Sequence, residues 1–401
     1  MKVLQVNVVY QKGSTGKIMF DIHQELLKEG LDSVVCYGRG KVINEQYVYK
    51  TSTEVLAKFN ALRARITGLQ YNGSFLATNK LISIINHETP DVIHLHCLNG
   101  YFVNIYRLID YLKQNNIKTI LTLHAEFMYT GSCGHALDCI RWKNIKGCNN
   151  CPIVRDATKS FFFDRTQTAW ELMRKSFEDF DNLTIVSVSP WLMKRAMDST
   201  ILSGKKHITV LNGIDTSKVF KPCDFSQLKE KHKLNDEKIL LHVTANFKSE
   251  IKGGKYIQEL AKRLINENIK IIVIGNEHNM DLPSNVIDVG RVYDQKVLAA
   301  YYSLADLTIL TSKRETFSMI CAESLSCGTP VVGFKAGAPE EISISDFSEF
   351  VEYGDMEQLE RSINVWLNRK TESNKIISEI ASEKYSKENM AIDYINLYKA
   401  L

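Results

Sequence analysis

Short runs of apolar and β-branched residues recur along the whole chain. The first half holds KVLQVNVVY, SVVCYG, DVIHLHCL, TILTLHA and LTIVSVS; the second holds ITVLN, ILLHVTA, IKIIVIG, NVIDVGRV, LTILTS and TPVVGF. These runs are apolar on both faces, as strands buried between two layers are. Between them lie amphipathic stretches such as Ile18–Gly30, Tyr256–Asn268 and Asp294–Leu304. Strand and helix alternating in this way predict a doubly wound α/β fold with parallel sheets. The runs are too numerous for one such sheet, so two Rossmann-like domains are the natural division. The polar stretch Ser199–His207 is the expected boundary, giving domains over 1–200 and 201–385.

Composition narrows the class. The 401 residues are 44% hydrophobic and 24% charged, an ordinary globular balance for two domains. No run of about 18 uncharged apolar residues occurs, so no membrane span is expected. The start, MKVLQVNVVYQKG, reads as a first strand rather than a signal peptide, and the expected location is the cytoplasm. Residues 1–200 carry 24 basic against 18 acidic side chains, and residues 201–401 carry 26 against 28. A basic first half suits an anionic acceptor or peripheral contact with an anionic membrane, and equally an ordinary solvated surface. No basic stripe is interleaved with aromatics, so nucleic acid is not an expected partner. Phe59–Ile66 (FNALRARI) and the triplet Phe161–Phe163 fit either a bilayer surface or the core, and the core is the favoured reading.

The most informative stretch is LTSKRETFSMICAESLSCGTPVVGFKAGAPEEI, Leu310–Ile342. A strand ends in a polar turn holding Glu315. A helix is expected from near Phe317 to Cys327–Gly328, where Gly suits the cap and Pro330 prevents continuation. The amides of Thr316, Phe317, Ser318 and Met319 would then face outward from a helix N-terminus, a site suited to a diphosphate. Glu323 lies about two turns along the same helix. Carboxylates accept hydrogen bonds from vicinal diols, so the two Glu side chains fit a sugar and a ribose, or are a surface Glu and a helix Glu with no shared ligand.

Glu, seven residues, Glu, then Cys-Gly-Thr-Pro-Val-Val closely resembles the motif of family-4 retaining glycosyltransferases, which have the GT-B fold. The resemblance implies that Glu315 contacts donor-sugar hydroxyls, that Glu323 binds the ribose, and that the amides around Phe317 and Ser318 hold the sugar and distal phosphate. It makes Lys252, in NFKSEIKGG, the cation facing the diphosphate. The family's Arg five residues earlier is Phe247 here, and the basic residue next to the Lys is Ile251; Lys248 is a candidate substitute. Val289-Gly290-Arg291-Val292 resembles the loop whose backbone holds the base. Asn212-Gly213-Ile214-Asp215 resembles the turn entering the second domain and is read as structural, with Asn-Gly supplying positive φ. The closing helix, about 386–401, would return to the first domain.

In the first half, Gly13-Ser14-Thr15-Gly16-Lys17 follows strand 1 and opens a helix. It is neither a Walker loop nor G-x-G-x-x-G, and fits a plain turn or a ligand loop. In the family this loop, with Gly13 and Gly16, faces donor phosphates and acceptor. Tyr37-Gly38-Arg39-Gly40 makes Arg39 a candidate acceptor-side cation or a surface residue. HLHCLNGYFVN, the stretch Thr122–Pro152 and FFFDRTQTAW resemble bacterial surface-polysaccharide transferases of the colanic-acid type. The resemblance places His124 at the transferred sugar, although the usual His-Asp is His124-Ala125 here. His94 and His96 share a strand face and read as core or edge packing. Cys133, Cys139, Cys148 and Cys151 fit a structural zinc, reduced packing thiols or disulfides; a catalytic zinc is not expected. Asp179-Phe180-Asp181 matches the Asp-x-Asp string of metal-dependent transferases but lies far from the donor motif and reads as coincidence.

The expectation is therefore a retaining, metal-independent transferase with no cofactor required for catalysis. Its donor would be a nucleotide diphosphate sugar, UDP- or GDP-linked, and its acceptor a saccharide or lipid-linked saccharide of envelope polysaccharide synthesis. Glu315, Lys252 and His124 would carry the chemistry. A catalytically silent nucleotide-sugar-binding subunit is the alternative, favoured by Phe247 and Ile251. A nicotinamide oxidoreductase is disfavoured because no G-x-G-x-x-G follows a strand.

Overall fold

A computed structural model describes residues 1–276, 281–369 and 374–401. The chain divides into two compact units: Met1–Leu211 with Met390–Leu401, and Asn212–Asn389.

The first unit is built on seven strands: β1 (Lys2–Asn7), β2 (Asp32–Tyr37), β3 (Val48–Lys50), β4 (Val92–Leu95), β5 (Thr119–Leu123), β6 (Leu183–Ser187) and β7 (Lys206–Thr209). Their order is β3-β2-β1-β4-β5-β6-β7, all parallel. The second unit has β8 (Lys238–Val243), β9 (Ile269–Ile274), β10 (Val286–Gly290), β11 (Leu307–Leu310), β12 (Val331–Phe334) and β13 (Ser348–Val351). Their order is β10-β9-β8-β11-β12-β13, again parallel. Both units are thus Rossmann-like, as the strand pattern predicts. In each, the direction of winding reverses beside the first strand, at β1/β4 and at β8/β11. Ligands of such sheets bind outside the carboxyl ends of the strands at that reversal.

Three expectations are corrected. The run ITVLN does not open the second domain: Lys206–Thr209 pairs with Thr184–Ser187 and closes the first sheet, moving the boundary from 200 to Leu211. β3 and β13 were not anticipated, because VYK and SEFV are short edge strands with half-exposed positions and no apolar run. FNALRARI and Phe161–Phe163 do not complete the core. Helix α2 (Glu54–Thr67) buries Ala57 and Ala64 and leaves Phe59 65% exposed, while Phe162 is 72% exposed.

The closing helix Lys387–Lys399 fulfils its expectation. Met390, Tyr394 and Tyr398 pack with Val3, Ile18, Ile22 and Leu26 in the first unit's core. Burying each such side chain contributes roughly 1.5–3 kcal/mol. The turn at Asn212-Gly213 is structural for a reason other than positive φ. A Cβ on Gly213 would lie 2.5 Å from Lys387 Cα, and Asp215 pairs with Lys387 Nζ at 2.7 Å.

Candidate functional site

Two loops meet at the carboxyl ends of β8 and β11 in the second unit. The loop after β8 turns at Ser249, whose carbonyl accepts from the amides of Lys252 and Gly253. Gly253, at φ +73°, then starts the helix Gly254–Arg263. Thr311 Oγ1, just past β11, donates to the carbonyls of Lys252 (3.2 Å) and Gly253 (3.1 Å). The amide of Lys313 donates to Ile251 O at 2.7 Å. A Cβ on Gly253 would fall 2.1 Å from Thr311 O, so only glycine allows this approach.

The stapled loops bring Lys252 Nζ to 2.6 Å from Glu315 Oε1, both side chains partly shielded from solvent. Glu315 is itself clamped: its amide donates to Ala336 O (2.9 Å), and its carbonyl accepts from Ala338 (3.2 Å). Glu340 steadies that second loop, taking the Gly337 amide on both carboxylate oxygens. Burial raises the Glu340 carboxyl above its ordinary range, opposed by those amides and the nearby Arg314 charge.

The helix after Glu315 starts later than expected. It spans Met319–Ser326, with Ser318 as its cap at φ +90°. Phe317 is buried and packs edge-on against Tyr385, with ring centroids 6.4 Å apart, and Thr316 is also buried. The anion-facing amides of the first turn are therefore those of Met319 and Ile320; the Cys321 amide goes to Ser318 Oγ. Proximity to Pro330 and Gly328 set the helix end correctly, but the positive φ at Ser318 has no sequence signal and delayed its start. Glu323 stands on this helix and accepts from the buried Tyr302 hydroxyl at 3.0 Å. Tyr302 escaped the sequence reading because nothing in Tyr301-Tyr302 distinguishes an orienting hydroxyl from a core ring.

Not every expected cation joins this group. Phe247 is a core residue, 3% exposed among Leu240, Ile257 and Ile309, so position 247 faces away from solvent. Lys248 is exposed, with its amide held by Asn246 Oδ1 at 3.1 Å. Arg291 is exposed beyond β10, where the Gly290 amide donates to Asp288 Oδ1 at 3.0 Å.

In the first unit the candidates also lie at strand carboxyl ends. Gly13 opens the helix Gly13–Lys28 after β1, and Gly16 packs on Val9. Arg39, after β2, pairs with Glu54 at 2.6 Å. His124, after β5, is half-buried and lies 3.3 Å from His96 Nδ1 through its Nε2. His96 Nε2 contacts Gln5 Oε1 at 3.1 Å. His94 bonds Tyr398 OH (2.6 Å) and Thr122 Oγ1 (2.7 Å). Both His94 and His96 are fully buried, as the packing reading required, yet His96 also supports His124. Burial holds the His124 imidazolium down at about 4, so the ring is neutral near pH 7.

The four clustered cysteines are free thiols. Cys133 and Cys148 are buried and Cys139 and Cys151 half-buried, and burial, with the nearby Cys139 and Cys151 thiols, raises Cys148 to about 12. Among the described residues, no three His, Cys, Asp or Glu side chains are arranged to hold a metal ion. Asp179 and Asp181 are exposed on either side of the buried Phe180, in a turn before β6, consistent with a structural turn.

Two parallel sheets in these orders, with a cation, carboxylates and a helix N-terminus at the second reversal point, define the GT-B class of glycosyltransferase fold. Residues 224–384 match the family model described as "Glycosyl transferases group 1". The chain is 24% identical over 424 aligned residues to a protein of Escherichia coli (strain K12) described as a colanic acid biosynthesis glycosyl transferase, WcaC, covering 100% of both. It is 26% identical over 289 residues to N-acetyl-alpha-D-glucosaminyl L-malate synthase of Bacillus anthracis, covering 69% of this chain and 65% of that one. Anabaena HepE in complex with UDP-glucose shares the fold at a TM-score of 0.67, with 15% identity and 100% of both chains covered. The chain is thus similar to group 1 glycosyl transferases over residues 224–384, and over its whole length to a protein described as a colanic acid biosynthesis glycosyl transferase.

Proposed function

We propose that this chain transfers a sugar from a nucleoside diphosphate donor to a saccharide acceptor, with retention at the anomeric carbon and without a catalytic metal. The observation that carries the reading is the 2.6 Å Lys252–Glu315 pair beside the N-terminus of the helix Met319–Ser326. A diphosphate arriving there exchanges the carboxylate for phosphate oxygens as the partner of Nζ, and frees Glu315 to accept sugar hydroxyls. The bond from the anomeric carbon to the diphosphate oxygen breaks, and Lys252 with the first-turn amides stabilises the charge that develops. The acceptor oxygen bonds to the anomeric carbon on the same face, and its proton passes to the departing diphosphate oxygen. Glu323, oriented by Tyr302, takes the ribose hydroxyls. HepE binds UDP-glucose, which favours a uridine donor here. The relation to a polysaccharide-biosynthesis transferase favours a lipid-linked saccharide of the bacterial envelope as acceptor.

The test is a binding and turnover screen with UDP- and GDP-sugars, with and without EDTA, reading the product anomer by NMR. Glu315→Gln and Lys252→Ala should each cut turnover by at least about 100-fold. Near-normal turnover in both would refute the proposal. The buried Phe247 leaves Lys252 with one fewer neighbouring cation than the family motif has, which favours the silent-subunit alternative. Donor binding with neither transfer nor hydrolysis would establish that alternative.

A further inference from the structure

Helix α2 is built the wrong way round for a helix that only packs on its own domain. Its buried positions are the small Ala57 and Ala64, half a turn from its large apolar residues. Val55, Phe59, Leu62 and Ile66 fall within one narrow stripe by the 3.6-residue period, and are 76, 65, 50 and 44% exposed. The stripe does not stand alone. The Phe161 amide donates to Arg65 O at 2.8 Å, seating Phe161–Phe163 at the end of α2, where these rings are 50, 72 and 51% exposed. On the other flank the Ser74 amide donates to Asn60 Oδ1, bringing up Phe75 and Leu76, 46 and 72% exposed. Scattered apolar residues on a surface are ordinary, but a contiguous set of this size marks an interaction face.

Charge identifies the occupant. Lys58 and Arg65 border the stripe on one side and Arg63 on the other, with Arg63 lying 5.9 Å over the Phe75 ring. Arg155, Lys159 and Arg165 add exposed basic charge around the Phe triplet. Of the local acids, Glu54 pairs with Arg39 and Asp164 accepts from Cys151 and Thr166, and Asp156 is exposed beside Arg155, so bases outnumber exposed acids around the stripe. An apolar stripe with long cationic side chains along both edges is the pattern of a helix lying in a bilayer interface, its rings among acyl chains and its charges at headgroups. We infer that the α2 stripe with Phe161–Phe163 is a docking face for an anionic lipid bilayer. No helix among the described residues is long and apolar enough to cross one, so the contact is at the surface.

The experiment is flotation of the full chain with phosphatidylglycerol–phosphatidylcholine vesicles and with pure phosphatidylcholine vesicles. The anionic vesicles should bind at least about fivefold more tightly per engaged basic residue, an advantage that high salt diminishes. Phe59→Ser with Phe162→Ser should weaken binding about tenfold for each ring withdrawn, while melting as the parent does, because both side chains are exposed. Lys58→Glu with Arg65→Glu should abolish the preference for anionic vesicles. Absence of vesicle binding by the parent would overturn the inference. So would sedimentation equilibrium showing a dimer that the two Phe substitutions split, since a second copy would then be the occupant. Equal binding by parent and all variants would also overturn it.

Discussion

Lowering the pH from 7.5 to 5.5 should destabilise the first unit, in large part through His94 and His96, with the depressed His124 adding its own share. Both rings are fully buried, with centroids 3.8 Å apart. Burial drives both imidazolium forms far below their ordinary range, and each ring's neighbours raise the cost further: His94 and His124 for His96, His124 for His94. Their hydrogen bonds go to Tyr398, Thr122, Gln5 and His124, none of them a carboxylate that would favour a proton. A depressed folded pKa means that the unfolded chain binds protons that the native chain refuses. The associated stability is fully present above the unfolded value near 6.5 and is lost as pH falls towards the folded values. One pH unit below 6.5, each site costs about 1.4 kcal/mol, so the pair costs about 3 kcal/mol at pH 5.5 and almost nothing at pH 7.5. That is a large share of an ordinary 5–15 kcal/mol stability. Urea unfolding followed by tryptophan fluorescence at both pH values measures the difference. His94→Gln with His96→Gln should remove the pair's share of the dependence even if the variant is less stable throughout. A parent equally stable at both pH values, or a double variant that loses as much as the parent, would refute the reasoning.

Three other outcomes follow from the geometry. Gly253→Ala should lower the Tm and weaken nucleotide-sugar affinity together, because its Cβ would meet Thr311 O at 2.1 Å and only a loop shift that moves Lys252 relieves it; calorimetry and titration of UDP-glucose check both. Tyr302→Phe removes one hydroxyl donor to Glu323 and should weaken UDP binding about three- to tenfold, as titration calorimetry of UDP would measure. A structural zinc at Cys133, Cys139, Cys148 and Cys151 predicts stoichiometric zinc in the purified protein and a Tm lowered by EDTA; metal-free protein with an unchanged Tm would leave these as packing thiols.

The sequence by itself determined the architecture. Runs apolar on both faces, alternating with amphipathic stretches, admit little besides parallel sheets covered by helices, and the order of elements then dictates two units. Glu315 and Glu323 stood out by their type and their spacing around a helix whose end is legible from Gly and Pro, and Lys252 stood out only through the resemblance of its Lys-Gly pair to a family motif. Tertiary structure decided the rest. The assignment of Lys206–Thr209 to the first sheet depends on pairing with β6, and a strand carries no mark of its partner. Tyr302 and Glu340 entered the site through contacts 21 residues away and across a turn, which spacing does not encode. Phe247 and the α2 stripe show the same limit from the other side. One apolar segment is core and the other is exposed, and hydrophobicity alone is equal in both; what differs is whether another element of the fold arrives to cover it.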